Sequence, residues 1–313
     1  MLKGAKHNSP CDIRIYLYKG LKQFAVIFAI GLTIKTFFLD SVVIEGNQMS
    51  PTLDRGDRVI YFKTPHILPG SLSQIPERGT PVLYRSPQDN VKNLLRVSSR
   101  SGERVHTQSG VFYIGDNPFT YSSNQSETIV PSRYSPRDFM EPYTVPSPGD
   151  TIHLHSLSIR DFFFAFSVLQ QERPQEEFEL GVNVFESETV VDEFIIENFS
   201  LYSGPISSVP EDLRHDWFFW ERLGNHLEDS SPGQFELGFR VYDSESEAID
   251  QFTVDNEYVF LIADNWQQGL DSRYFGPVNG KALKGRAFAI LWASRYDTEG
   301  NRKLIKSRFG KLI

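Results

Sequence analysis

The 313-residue sequence contains one cysteine, Cys11, which excludes an intrachain disulfide and any cysteine-rich zinc site. It lacks a basic excess: 32 lysines and arginines face 40 aspartates and glutamates, for a formal charge of −8. A surface devoted to nucleic acid needs a net basic face to neutralise phosphates, so nucleic acid is excluded as a partner of the whole body. Internal repeats are missing too, which removes solenoids and propellers. Only one apolar run comes near the ~20 residues that cross a bilayer. The next best, 160–170 (RDFFFAFSVLQ), is apolar for about nine residues. Ser158 before it and Asp161 three positions on read as a helix start, so it predicts a short core or surface-docking helix. With 40% hydrophobic residues the chain is still apolar enough to fold.

The charge is unevenly spread. Lys3, Lys6, Arg14, Lys19 and Lys22 face only Asp12 at the start, and Arg302, Lys303, Lys306, Arg308 and Lys311 face no acid at the end. The stretch between carries about −17. Between the basic start and the acidic body lies 23–39, QFAVIFAIGLTIKTFFL, broken only by Lys35. Its roughly 17 residues are short for a span, but it gains reach by extending through 18–22 or past Asp40, and Lys35 can snorkel to the headgroups. The following Asp40-Ser41-Val42-Val43-Ile44-Glu45 has no small-x-small cleavage site, and phenylalanines surround the helix rather than marking one stripe. An uncleaved anchor is expected, with the cationic flank holding the N-terminus in the cytoplasm and the lipid bilayer as first partner.

Beyond the anchor, short alternating runs at 58–62, 80–84, 94–97 and 111–114 predict strands, punctuated by Gly56, Gly79, Gly102 and Gly110. Further strands are expected at 178–185, 189–196, 235–242 and 258–263. A second helix is predicted over 210–227, closing near Gly224, and loops over 118–147 and 227–234. The body therefore reads as mostly β.

Four stretches carry a resemblance. Gln48-Met49-Ser50-Pro51-Thr52-Leu53, followed by Arg55-Gly56-Asp57, resembles the S-M-x-P-T-L box of type I signal peptidases. The run from Ala263-Asp264-Asn265 through Gly269-Leu270-Asp271-Ser272-Arg273 to Phe275-Gly276-Pro277-Val278 is similar to that family's G-D-N-x-x-x-S-x-D-S-R box and its F-G-x-V continuation. Between them, Arg78 to Tyr84 resembles R-G-D-V-V-V-F, and Leu95-Arg96-Val97 through Glu103-Arg104-Val105 resembles K-R-V-x-G-x-P-G-D-x-V. Gly110 to Gly115 is similar to the G-x-x-Y-V-N-G hairpin. The resemblance implies a β-rich catalytic core with an inserted smaller α/β lobe, on the outer (periplasmic or extracellular) face of the bacterial cytoplasmic membrane. The divisions expected are a basic N-terminus (1–22), an anchor (23–40), the first part of the core (41–117), the inserted lobe (118–256), the last part of the core (257–292) and a basic tail (293–313). The tail is expected against anionic headgroups.

That family is known as serine endopeptidases working through a Ser/Lys dyad without a cofactor. The chemistry requires a hydroxyl nucleophile and a lysine desolvated until its pKa falls toward about 7–8. At the matching positions stand Gln48, whose carboxamide is no nucleophile, and Leu95, which has no proton-accepting atom. The oxyanion position is Gly46, where the family's hydroxyl donor is lost, and the lysine-orienting serine is replaced by Gly269. The surrounding Met49, Pro51, Thr52, Leu53, Asp264, Asp271, Ser272, Arg273, Gly276 and Pro277 still match, and Asp271 with Arg273 is expected to form a structural ion pair.

A retained fold with lost chemistry is the reading, with signal peptides, exported precursors or an active paralogue as partners. The alternative is an active signal peptidase I with a displaced nucleophile such as Ser50, which shares a face with Gln48 if that segment is extended. Lys92, three residues before Leu95, falls on the opposite face of a strand. His153-x-His155 offers two imidazoles but no third ligand, so no metal is expected. Asp243-x-Glu245-x-Glu247 reads as a solvated strand edge or loop, and the glycosylation patterns at Asn124 and Asn198 as incidental.

Overall fold

The computed structural model describes residues 10–63, 75–87, 91–119, 135–296 and 302–313. Its first element, α1 (Pro10–Phe37), contains a 22-residue apolar stretch, Tyr16–Phe37, with none of it buried. Of the two ways the short run could gain reach, the N-terminal one is realised: Tyr16, Leu17, Tyr18 and Leu21 continue the apolar surface across Lys19 and Lys22. Extension past Asp40 is closed off, because Leu39 already begins a strand. The helix end is tied down by Lys63, whose Nζ donates to the carbonyls of Lys35 (2.9 Å) and Thr36 (3.0 Å), satisfying acceptors that have no partner within the helix.

The body is mostly β. A large antiparallel sheet runs β1 (Leu39–Val43), β2 (Asp57–Lys63), then β18 (Leu283–Tyr296), β3 (Pro81–Arg85), β4 (Lys92–Arg100), β16 (Tyr258–Ile262) and β17 (Val278–Asn279). Late strands thus insert between early ones, which is why the first and last boxes meet. A second sheet joins β5 (Arg104–Gln108), β6 (Val111–Ile114), β7 (Asn117–Pro118) and β8 (Met140–Thr144). β8 and the last residue of β7 fall inside the predicted 118–147 loop; the part of that loop at 120–134, including Asn124, lies outside the described residues.

After the second sheet come β9 (Thr151–His153) and α2 (Ile159–Glu172), then β10 (Glu179–Glu186) and β11 (Thr189–Val190). The Ser158 hydroxyl accepts from Asp161 N at 3.3 Å, the expected cap, and the phenylalanines from Phe162 to Phe164 are buried. The strand predicted over 189–196 breaks into β11 and β12 (Ile195–Ile196), because Glu193 takes a left-handed φ of 55° between them; β12 pairs with β13 (Gly204–Pro205). The single helix predicted over 210–227 is two, α3 (Glu211–Arg214) and α4 (Trp217–Ser230), since the Asp216 carboxylate accepts from Phe218 N and starts a new one. Helix α4 runs through Gly224 into the predicted 227–234 loop. A Cβ at Gly224 would sit in ordinary contact with Leu237 and Ile159, so the residue serves packing rather than termination. β14 (Phe235–Tyr242) pairs along all of β10, and β15 (Gln251–Thr253) returns to β9.

Two apolar cores share one wall. Along β16 and the residue after it, Tyr258, Phe260 and Ile262 enter the lobe core with Phe162, Trp220 and Val241, while Val259, Leu261 and Ala263 enter the sheet core with Met49, Leu53 and Leu95. The period of two along an extended chain thus serves two cores at once, and the strand is buried throughout. The tail is not a separate appendage: β18 continues through Tyr296 and pairs with β19 (Arg302–Leu304).

Candidate active site

The first box is a tight turn rather than an extended segment. Ser50 N donates to the Asn47 carbonyl at 3.1 Å and Leu53 N to that of Met49 at 2.8 Å, so Ser50 does not share a strand face with Gln48 as extension would require. Met49 and Leu53 plug the sheet core at 1% and 0% exposure. The exposed Pro51 follows a cis peptide bond, and Thr52 offers its carbonyl to Arg308 at 2.9 Å. The Ser50 hydroxyl donates to Asp54 Oδ1 at 3.0 Å, and that carboxylate is engaged by Arg295 and, at 3.4 Å, by Arg308. Arg308 also holds the fully buried Asp57, so one cation of the basic tail is spent on clamping this turn rather than left for headgroups.

The last box is held from both sides. Asp271 accepts from Ala263 N (2.9 Å) and from Arg273 through Nε (2.8 Å) and Nη2 (2.7 Å), both residues being fully buried; the guanidinium lies 3.8 Å from the ring centre of Trp266. This is the ion pair that the resemblance implies. Ser272 Oγ accepts from Leu261 N at 2.9 Å. Gly276 takes φ +83°, and a Cβ there would crowd the Phe164 ring at 3.0 Å, so glycine lets the turn rest on α2. The Pro277 carbonyl accepts from Gln171 at 3.0 Å. Sequence reasoning missed a second buried pair, Arg96 with Asp264, where Nε lies 2.7 Å from Oδ1 and Nη1 donates to the Gly79 carbonyl at 2.6 Å. The signal was present, since Arg96 adjoins Leu95 and Asp264 lies in the last box.

These frames join the turn that carries Gly46 and Gln48 to the loop that carries Gly269. Asn265 N donates to the Gln48 carbonyl at 2.8 Å and its Nδ2 to that of Asn47 at 3.1 Å, joining the two boxes. Leu95 is 1% exposed and packs in the same apolar cluster as Met49 and Ala263. The Gln48 side chain folds back on Gly46: a Cβ added at Gly46 would overlap the carboxamide oxygen and stand 2.8 Å from Cδ. At Gly269 an added Cβ would overlap the Ala263 methyl and approach the Asn265 carbonyl to 2.8 Å. Position 263 is a glycine in the box that this segment resembles, so bulk absent from position 269 reappears at 263. Both pairs are exchanges of size, in which one side chain fills space left by the other. Gln48, Leu95, Gly46 and Gly269 thus place a carboxamide, an aliphatic chain and two bare backbones where the resemblance implies a nucleophile, a base and two hydroxyls.

Elsewhere, the rings of His153 and His155 are 6.0 Å apart, and among the described residues no group of three or more ligating side chains could hold a metal. Asp243 accepts from the backbone N–H groups of Glu245 and Glu247, which makes that acidic stretch a turn.

An N-terminal helix long and apolar enough to cross a bilayer precedes a β-rich core threaded by the first and last boxes and an inserted lobe. The sequence pattern of the family described as signal peptidase, peptidase S26 matches residues 17–148 and 221–292, and the chain belongs to that family. It is 26% identical over 98 residues to a signal peptidase I of Bacillus licheniformis, spanning 31% of this chain and half of that relative. It is 20% identical over 289 residues to the signal peptidase I of Buchnera aphidicola subsp. Schizaphis graminum (strain Sg), covering 88% of this chain and 75% of the relative. It is also 30% identical over 123 residues to a protein named inactive signal peptidase IA in Staphylococcus aureus (strain Mu50 / ATCC 700699), covering 39% and 66%. The one helix among the described residues that is long and apolar enough to cross a bilayer, together with the family, fits a single-pass membrane protein.

Proposed function

We propose that this chain is a membrane-anchored signal peptidase I homologue without peptidase chemistry, which keeps a role in binding exported peptides or in assembly with an active paralogue. Its body faces outward from the bacterial cytoplasmic membrane. The observation that carries this reading is the exchange at Gly46 and Gln48: the nucleophile position bears a carboxamide, and that carboxamide fills the space of the oxyanion donor's side chain. Leu95, dry and apolar, supplies no base. An extended precursor segment would bind by adding a strand to the sheet edge. The rival, an active enzyme attacking through Ser50, is disfavoured because that hydroxyl is bonded to Asp54, a carboxylate already engaged by two arginines, and among the described residues no lysine is bonded to it.

The test is restoration. Gln48→Ser, Leu95→Lys, Gly46→Ser and Gly269→Ser, combined with Ala263→Gly, are expected to give cleavage of a preprotein reporter at its signal-peptide junction. Burial at position 95 is what would keep a lysine amine neutral and able to take the serine proton. Gln48→Ser or Leu95→Lys alone is expected to do nothing. In the unaltered protein, a photoreactive signal-peptide probe is expected to crosslink near Met49. A folded restored variant with no cleavage, together with no crosslink, would replace peptide binding by a scaffold role.

A further inference from the structure

We infer that the lobe pairs with a second copy of this chain through the outer edge of β14, antiparallel about a two-fold axis at Gly238. Strand β14 pairs with β10 over its whole length on one side, and on the other the Val241 carbonyl accepts from Ile249 N at 2.9 Å. Backbone groups alternate sides along a strand, so Leu237 and Phe239 also direct their N–H and C=O groups away from β10. Among the described residues none of those outward groups is hydrogen-bonded. Such a row of unpaired amides and carbonyls is a template for another strand.

The side chains indicate which strand. Phe235, Leu237, Phe239 and Val241 face the lobe core, which leaves Glu236, Gly238 and Arg240 on the outer face, with Glu236 and Arg240 exposed. Those two charges lie roughly 13 Å apart along the strand, too far to pair within one copy, and among the described residues neither has an ion-pair partner. A two-fold axis at Gly238 sets Leu237 opposite the partner's Phe239, so that the outward groups of both copies exchange hydrogen bonds. It also sets Glu236 opposite the partner's Arg240, and Arg240 opposite the partner's Glu236, at the pairs where side chains approach most closely. Gly238 meets its own copy on the axis. A Cβ there would overlap the Phe185 ring, which lies across the glycine from β10. An unrelated extended segment would have to bring a base and an acid in the reverse order, whereas a second copy has them by symmetry.

The pairing uses none of the four altered positions, so it stands or falls apart from the peptide-binding reading. The full chain in detergent is expected to sediment as a concentration-dependent dimer. Glu236→Arg alone, or Arg240→Glu alone, places like charges at both contacts and is expected to weaken dimerisation by at least about tenfold. Both side chains are exposed, so each variant is expected to keep the far-ultraviolet circular dichroism of the unaltered chain. Mixing the two variants again sets an acid opposite a base at each contact, and the mixture is expected to dimerise as tightly as the unaltered chain. Single variants that dimerise undiminished, or a mixture of folded variants that stays monomeric, overturns the inference. A photoreactive residue at position 236 is expected to crosslink to a second copy. A monomeric chain whose position 236 crosslinks to an added preprotein instead makes an exported peptide the occupant of this edge and overturns the second copy.

Discussion

Asp271 and Arg273 are fully buried and joined by two side-chain hydrogen bonds, whereas Gln48, in the same site, is half-exposed and folds onto a glycine. Most of the frame of the boxes carries the fold: Met49, Leu53, Arg96, Asp264 and the Asp271 pair are buried and either packed or charge-paired. The chemical positions carry little of it. On the proposed reading, a serine, a lysine and a hydroxyl donor are lost while the architecture survives, because the space they leave is refilled. At two places the refilling is visible, Gln48 into the space at Gly46 and Ala263 into that at Gly269.

The largest effect expected on that comparison comes from the frame. Asp264→Ala removes the buried carboxylate opposite Arg96 and is expected to lower stability by about 3–5 kcal/mol in denaturant unfolding, whereas Gln48→Ala is expected to stay within about 0.5 kcal/mol. Comparable losses from both would erase the distinction. Next comes the exchange at 263 and 269. Gly269→Ser is expected to destabilise by about 1–3 kcal/mol through overpacking, with Ala263→Gly recovering at least about 1 kcal/mol of it in a double-mutant cycle. Additive effects would mean that the loop relaxes independently. Smaller still is Gly46→Ser, expected below about 1 kcal/mol because it displaces only the flexible end of Gln48, and near zero in a Gln48→Ser background.

The smallest effect is a pH dependence. The folded-state pKa of Lys284 is lowered by burial, Arg85 and Lys92, so below that value the folded chain pays to hold the charge, and the penalty fades as pH rises toward the ordinary 10.5. Lys284→Gln is expected to raise the unfolding temperature slightly at neutral pH in detergent, with the gain gone near pH 10.5. A pH-independent difference would show that packing, not charge, sets it.

Much of this was legible in the sequence because it was local. The apolar N-terminal helix, the capped helix after Ser158 and most long strands follow from apolar runs, caps and alternation. What escaped depends on contacts distant in sequence. The Arg96–Asp264 pair spans 168 positions, and β8 forms because β5 offers it an edge. The helix break at Asp216 depends on one side chain turning back on the backbone, which competes with an otherwise continuous helical pattern. The exchange between Ala263 and Gly269 was invisible for another reason: a residue one methyl larger at 263 has meaning only once the loop places it against 269.

The most direct test is cleavage of a preprotein reporter by the purified, unaltered chain in lipid vesicles, alongside its Ser50→Ala and Gln48→Ala variants. The account predicts no signal-peptide cleavage above that of empty vesicles for all three. Cleavage by the unaltered chain that survives Gln48→Ala and is abolished by Ser50→Ala would contradict it.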